Sequence, residues 1–155
     1  MSMISIGQAV PEFALLATGD KVIKLSDFRG KRLVIYFYPK DNTPGCTTEG
    51  QAFRDHYAEF QSMNTEILGV SRDSVKMHEG FKCKQAFPFD LLSDQDESLC
   101  NLFDVIKMKN MYGKSVRGIE RSTFIINEHG VLIHELRKVQ VKEHVSEVLS
   151  VIASI

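Results

Sequence analysis

The sequence predicts an α/β fold: a central mixed β-sheet flanked by helices, with a β-hairpin extension at the N-terminal end. Three observations carry this. Short apolar runs rich in β-branched and aromatic residues recur along the chain. Stretches of helical periodicity separate them. Turn residues punctuate the N-terminal part and the region before the last helix in hairpin fashion. The chain has 155 residues, which fits one domain over 1–155. A chain of this size buries roughly 68–70% of its unfolded surface and needs no disulfide staple.

Taken in order, Glu12 to Leu16 and Val22 to Leu25 read as strands around Thr18-Gly19-Asp20. Arg32 to Phe37 is a buried strand. A loop from Pro39 to Gly45 leads into a helix from about Cys46 to Met63. Thr65 to Ser71 is the next strand. Asp73 or Ser74 caps a helix that must end before Pro88. A short strand at Leu91 to Ser93 and a short helix from Asp96 to Phe103 follow. Lys107 to Gly118 reads as an irregular basic excursion. Ser122 to Ile126 and Val131 to Leu136 form a second hairpin, and Lys142 to Ile152 closes the chain as a helix.

Charge is balanced, 19 basic residues against 20 acidic, which argues against a nucleic-acid or membrane-surface binder. The longest apolar run, Leu33 to Tyr38, is too short to cross a bilayer. Met1-Ser2-Met3-Ile4 shows no secretory pattern, so a cytoplasmic protein is expected. Three cysteines in a reducing compartment point to catalysis, redox activity or burial rather than structural bridges. Cys46, Cys83 and Cys100 lie too far apart for a zinc knuckle, and no His pair has i, i+4 spacing. No metal or cofactor is expected.

The informative stretch is Phe37 to Gly50, FYPKDNTPGCTTEG. Cys46 opens a helix, where the positive dipole end and free N–H groups favour a thiolate. Pro44-Gly45 precedes it: Pro suits a helix entry, and Gly admits close backbone approach. Thr43 supplies a hydroxyl three residues before it. Cys46, Gly50, Phe53, Tyr57 and Phe60 share one helical stripe, so the thiol should point inward. A buried, inert cysteine is the plain alternative. The strand-to-helix junction is where α/β folds place sites, and that favours chemistry. A Cys-His pair would need a base. His56 lies ten residues along the same helix, roughly 15 Å away, although another His could arrive through the fold. Cys-x-x-Cys is absent. A single activated thiolate among hydrogen-bond donors suits attack on a small electrophile such as a peroxide O–O bond.

These residues resemble the peroxiredoxins. Pro39, Thr43 and Cys46 match the Pro-x-x-x-Thr-x-x-Cys signature, and the Thr-Pro-Gly-Cys-Thr-x-Glu form resembles the bacterioferritin-comigratory, or PrxQ, subfamily. VPEFAL, FPFDLLSD and IERSTFIIN extend the likeness over nearly the whole chain. The resemblance implies a thioredoxin-like fold and reduction of hydrogen peroxide and organic hydroperoxides. It implies that Thr43 orients the peroxide and that backbone N–H groups at Gly45 and Cys46 stabilise the shifting charge. Pro39 would shield the pocket. Arg121, before the STF strand, would favour the thiolate and hold the oxygens, with Glu49 orienting it. Tyr38 lines the pocket or belongs to the core, the latter being the better fit.

The chain departs from many subfamily members five residues after Cys46, where Gln51 stands in place of a resolving cysteine. Cys83, expected to be exposed between Lys82 and Lys84 on a helix whose apolar pair is Met77 and Phe81, resembles a variant with its resolver there. Cys100 is expected to be half-buried and inert. A Cys46–Cys83 bond needs Cα atoms within about 7 Å, so the turn Cys46 to Gly50 would unwind in each cycle. Thioredoxin would then be the reductant. The family's oxidation-sensitive loop and C-terminal Tyr-Phe are absent, which implies resistance to sulfinic acid formation. Two alternatives stay open: a one-cysteine enzyme served by glutaredoxin or another external thiol, and a non-catalytic thioredoxin-fold binding module. Lys107, Lys109, Lys114 and Arg117 read more simply as a solvated loop than as a docking surface. The subfamily pattern leans to a monomer.

Overall fold

The computed structural model describes residues 4–155, apart from the side chain of Met111. The stretch Met1–Met3, where no leader was expected, lies outside the described residues. A hairpin joins β1 (Ala14–Ala17) to β2 (Lys21–Lys24). Three parallel strands form the centre: β3 (Arg32–Phe37), β4 (Thr65–Ser71) and β5 (Asp90–Ser93). Strands later in the chain are β6 (Ile106–Met111), β7 (Lys114–Ile119), β8 (Ser122–Ile126) and β9 (Leu132–Leu136). The main sheet has seven strands in the order β2-β1-β5-β4-β3-β8-β9. β8 runs antiparallel to β3, and β9 antiparallel to β8.

Period-2 alternation sorts β3 between two cores. Leu33, Ile35 and Phe37 enter one. There they meet Leu99, Cys100 and Phe103 from α4 (Ser98–Leu102) and its end. Val34 and Tyr36 enter the other. That face is covered by α1 (Pro44–Asp55), α2 (Tyr57–Ser62), α3 (Val75–Gln85) and α5 (His144–Ala153). Phe53, Phe60, Phe81, Val148 and Ile152 are helix side chains buried there. Burying each contributes roughly 1.5–3 kcal/mol.

Three expectations need correction. The helix expected over Cys46 to Met63 is two helices, starting at Pro44 and interrupted at His56. The break lets the Tyr57 hydroxyl donate to Glu66 Oε1 at 2.9 Å while Phe60 stays in the core. Lys107 to Gly118 is not irregular: β6 and β7 form their own antiparallel hairpin. Tyr112 and Gly113 turn it with positive φ, 53° and 78°, as a two-residue hairpin turn demands. Charged strands hid the pattern, since Met108 and Val116 are exposed and alternation marks only a half-buried sheet. On α3 the inward pair is His78 and Phe81, with Met77 exposed. The Ser74 hydroxyl caps that helix, accepting from Met77 N at 3.2 Å.

Candidate active site

The site forms where β3 ends and α1 begins. Thr43 is the N-cap residue and Pro44 the first residue of α1. The N–H groups of the first helical turn lack intrahelical acceptors, and Pro has none to lose. Thr47 N already closes the turn onto Thr43 O at 2.9 Å, which leaves Gly45 and Cys46 as the free donors of that turn. Cys46 is 1% exposed and packs in the second core with Phe81 and Phe87. Pairing of Phe37 with Ser122 sets Arg121, just before β8, beside the end of β3.

Arg121 is forked between two partners. Its Nη2 donates to Cys46 Sγ at 3.5 Å and its Nη1 to Glu49 Oε1 at 2.5 Å. A Cβ at position 45 would lie 3.2 Å from that Nη2, so Gly45 leaves room for the guanidinium. Burial disfavours the charge on Arg121, yet Glu49 and Cys46 more than offset it, and the guanidinium is held above its ordinary range. The Thr43 hydroxyl donates to Lys40 O at 2.8 Å instead of reaching Cys46. Pro39 is half-buried on the same loop. Tyr38 is a core residue: it is 1% exposed, and its hydroxyl donates to Asp41 Oδ1 at 2.7 Å.

Glu49 has a second neighbour that no spacing in the sequence could show. His144, at the start of α5, puts Nε2 3.9 Å from Glu49 Oε2 and 2.7 Å from Thr123 Oγ1. Glu49 Oε2 and His144 Nδ1 are buried without hydrogen-bond partners. Burial raises the Glu49 carboxyl to about 7, against the pull of Arg121. A guanidinium cannot accept, so any proton on Glu49 sits on Oε2. Burial, helped by the Arg121 charge, lowers His144 to about 4. A histidine does therefore arrive through the fold, but it stands behind Glu49 and not on the thiol.

Cys83 is exposed, as expected, and Cys100 is fully buried where half-burial was expected. Burial, reinforced by Asp94, pushes the Cys100 thiol well above its ordinary range, which keeps it a thiol. Cys46 and Cys83 are both free thiols. Gln51 takes a structural part: its Nε2 donates to Gln85 Oε1 at 2.8 Å, joining α1 to α3. Among the described residues, Asp41, Asp73 and His78 have ligand-type atoms within 4.8 Å of one another. Those atoms already hydrogen-bond within the protein, so they do not form a vacant donor set.

The sheet and this thiol–arginine–carboxylate cluster define the class: a thioredoxin-fold protein with one cysteine held by an arginine at a helix mouth. The AhpC/TSA family matches residues 6–135. Peroxiredoxin Bcp of Bacillus subtilis is 51% identical over 146 residues, covering 94% of this chain and 93% of that protein. A bacterioferritin comigratory protein structure from Xanthomonas campestris, described as a trapped intermediate/ligand complex bearing on alkyl peroxide reduction, is 49% identical. It superposes with a TM-score of 0.88 over 95% of this chain and 98% of that one. A cysteine-to-serine mutant of Xylella fastidiosa PrxQ gives 0.93 at 45% identity, over 99% and 98%. The chain belongs to the AhpC/TSA family and within it is a peroxiredoxin of the Bcp, or PrxQ, kind. It is thus a peroxidase with the thioredoxin-like fold that the motif implied.

Proposed function

We propose that Cys46 is the peroxidatic residue of a two-cysteine cycle acting on hydrogen peroxide and organic hydroperoxides. The observation that carries this is the Arg121 fork, which binds the buried thiol and Glu49 at once. The Cys46 thiolate attacks the terminal peroxide oxygen, the O–O bond breaks, and the alkoxide or hydroxide leaves and takes up a proton. Cys46 becomes a sulfenic acid, oxidised by two electrons as the peroxide is reduced. Arg121 and the N–H groups of Gly45 and Cys46 would stabilise that charge. Thr43 would turn from Lys40 O toward the bound peroxide, and Pro39 would shield it from water.

Cys83 then attacks the sulfenic sulfur, forming the disulfide and releasing water, and thioredoxin reduces it. Its exposure supports the role. The reading takes residues 1–155 as one domain acting as a cytoplasmic monomer; among the described residues no helix is long and apolar enough to cross a membrane. A one-cysteine cycle with an external thiol or glutaredoxin has one observation in its favour: Cys46 is buried in the second core with Phe81 and Phe87 of α3 and its end, while Cys83 faces solvent. Non-reducing peptide mapping after one equivalent of hydrogen peroxide separates them. A Cys46–Cys83 cross-link supports the two-cysteine cycle. Sulfenic acid at Cys46 with Cys83 free supports the external thiol, and unmodified Cys46 overturns both.

A further inference from the structure

We propose that Asp41 and His78 are a positioning pair that clamps the loop before Cys46 onto α3 and keeps the first turn of α1 in its peroxide-reactive geometry. His78 Nδ1 lies 2.7 Å from Asp41 Oδ2, and both side chains are fully buried. His78 Nε2 lies 2.8 Å from Leu92 O. A carbonyl oxygen can only accept, so Nε2 carries a proton, and a further proton lies between Nδ1 and Oδ2. The Tyr38 hydroxyl donates to the other Asp41 oxygen.

The same residue is tied through its backbone. Asp41 N donates to Asp73 Oδ2 at 2.8 Å, and that oxygen also accepts from Ser71 Oγ at 2.6 Å. Asn42 follows with a φ of 64°, the left-handed turn that brings the chain round to Thr43. The clamp therefore joins the loop carrying Pro39 and Thr43 to the ends of β4 and β5 and to the helix carrying Cys83. It spans the two elements whose present contact must rearrange before Cys46 can approach Cys83. With every partner matched, the pair is at its most stable in the closed arrangement, and opening exposes or orphans both groups. The pair touches neither thiol and acts through the backbone it holds.

The proposal rests on Cys46 being peroxidatic, and its test separates the two. Asp41→Asn and His78→Gln are compared with the unaltered protein in three measurements. These are the second-order rate of Cys46 sulfenic acid formation, the rate of the following Cys46–Cys83 bond, and amide exchange of the reduced protein. The expected result is a tenfold or greater loss in the first rate with no loss, or a gain, in the second. Exchange should rise over residues 39–48 while β3 and β8 stay protected. Should either variant fail to fold, Tyr38→Phe removes one Asp41 partner and should move all three readings the same way, by less. Both rates falling together with protection lost across β3 and β8 would reduce the pair to general stabilisation and overturn the proposal. So would unchanged exchange over 39–48. The exchange arm needs no cysteine chemistry. Failure of the unaltered protein to form the sulfenic acid would instead overturn the peroxidatic reading.

Discussion

Arg121 has two tasks that only a planar, forked cation performs together. Arg121→Lys should keep a charge near Cys46 yet lose the second contact. The rate of peroxide consumption by the reduced protein, followed by rapid quench, should fall by about 10²-fold. Glu49 and His144 make opposite contributions to stability as pH changes. Glu49, at about 7 folded against 4.5 unfolded, stabilises fully below pH 4.5, and that contribution is lost as pH rises to 7. His144, at about 4 against 6.5, stabilises fully above pH 6.5, and that contribution is lost as pH falls to 4. The two slopes oppose each other between pH 4.5 and 6.5. Glu49→Gln should leave stability rising with pH in that window, and His144→Gln should leave it falling, as read from urea midpoints.

At the scale of elements, Gly50 tests whether α1 is governed by helix propensity or by packing. Propensity alone favours Ala over Gly by about 1 kcal/mol. A Cβ at position 50 would lie 2.4 Å from Phe87 Cζ, with two more ring atoms at 2.9 and 3.1 Å. Gly50→Ala should therefore destabilise the protein, by about 1–3 kcal/mol as overpacking does. A stabilised variant in urea denaturation would mean that Phe87 yields freely. The same contact bears on the cycle, because the first two turns of α1 are held by Phe87 at Gly50, by the Gln51–Gln85 bond and by Arg121. On the proposed cycle all three give way when Cys46 reaches Cys83. Amide protection over residues 43–52 should then drop in the oxidised protein, and an unchanged pattern there would sink the unwinding step.

For the whole molecule, the division into two cores puts both ends of the proposed cycle on one face of the sheet. The face with α4 encloses Cys100, whose thiol is held well above its ordinary range by burial. The other face carries both α1 and α3. Cys83→Ser should leave the first turnover of peroxide intact and abolish thioredoxin-dependent multiple turnover, measured as peroxide consumed per protein. Sustained turnover with a glutaredoxin would point to an external resolver. The chain also lacks the inserted Gly-Gly-Leu-Gly loop of the oxidation-sensitive family members, so it should retain activity at micromolar peroxide.

The sequence alone determined the sheet's central strands, because their apolar runs depend only on neighbours along the chain: Arg32–Phe37, Thr65–Ser71 and Ser122–Ile126 stand where the pattern placed them. The Pro39, Thr43 and Cys46 spacing likewise marked the site, since one loop and one helix turn hold all three. The β6–β7 hairpin stayed hidden because it buries little: the brief alternation at Ile106-Lys107-Met108-Lys109 sits among charged and polar residues, and Met108 is exposed. Tertiary structure alone decided what stands behind the thiol. His144 reaches Glu49 from the last helix, and His78 reaches Asp41 from α3. Neither spacing is periodic, and a lone buried histidine leaves no local mark in a sequence. Pairing across elements is set by how the sheet registers and how the helices pack on it, which no short stretch of residues encodes by itself.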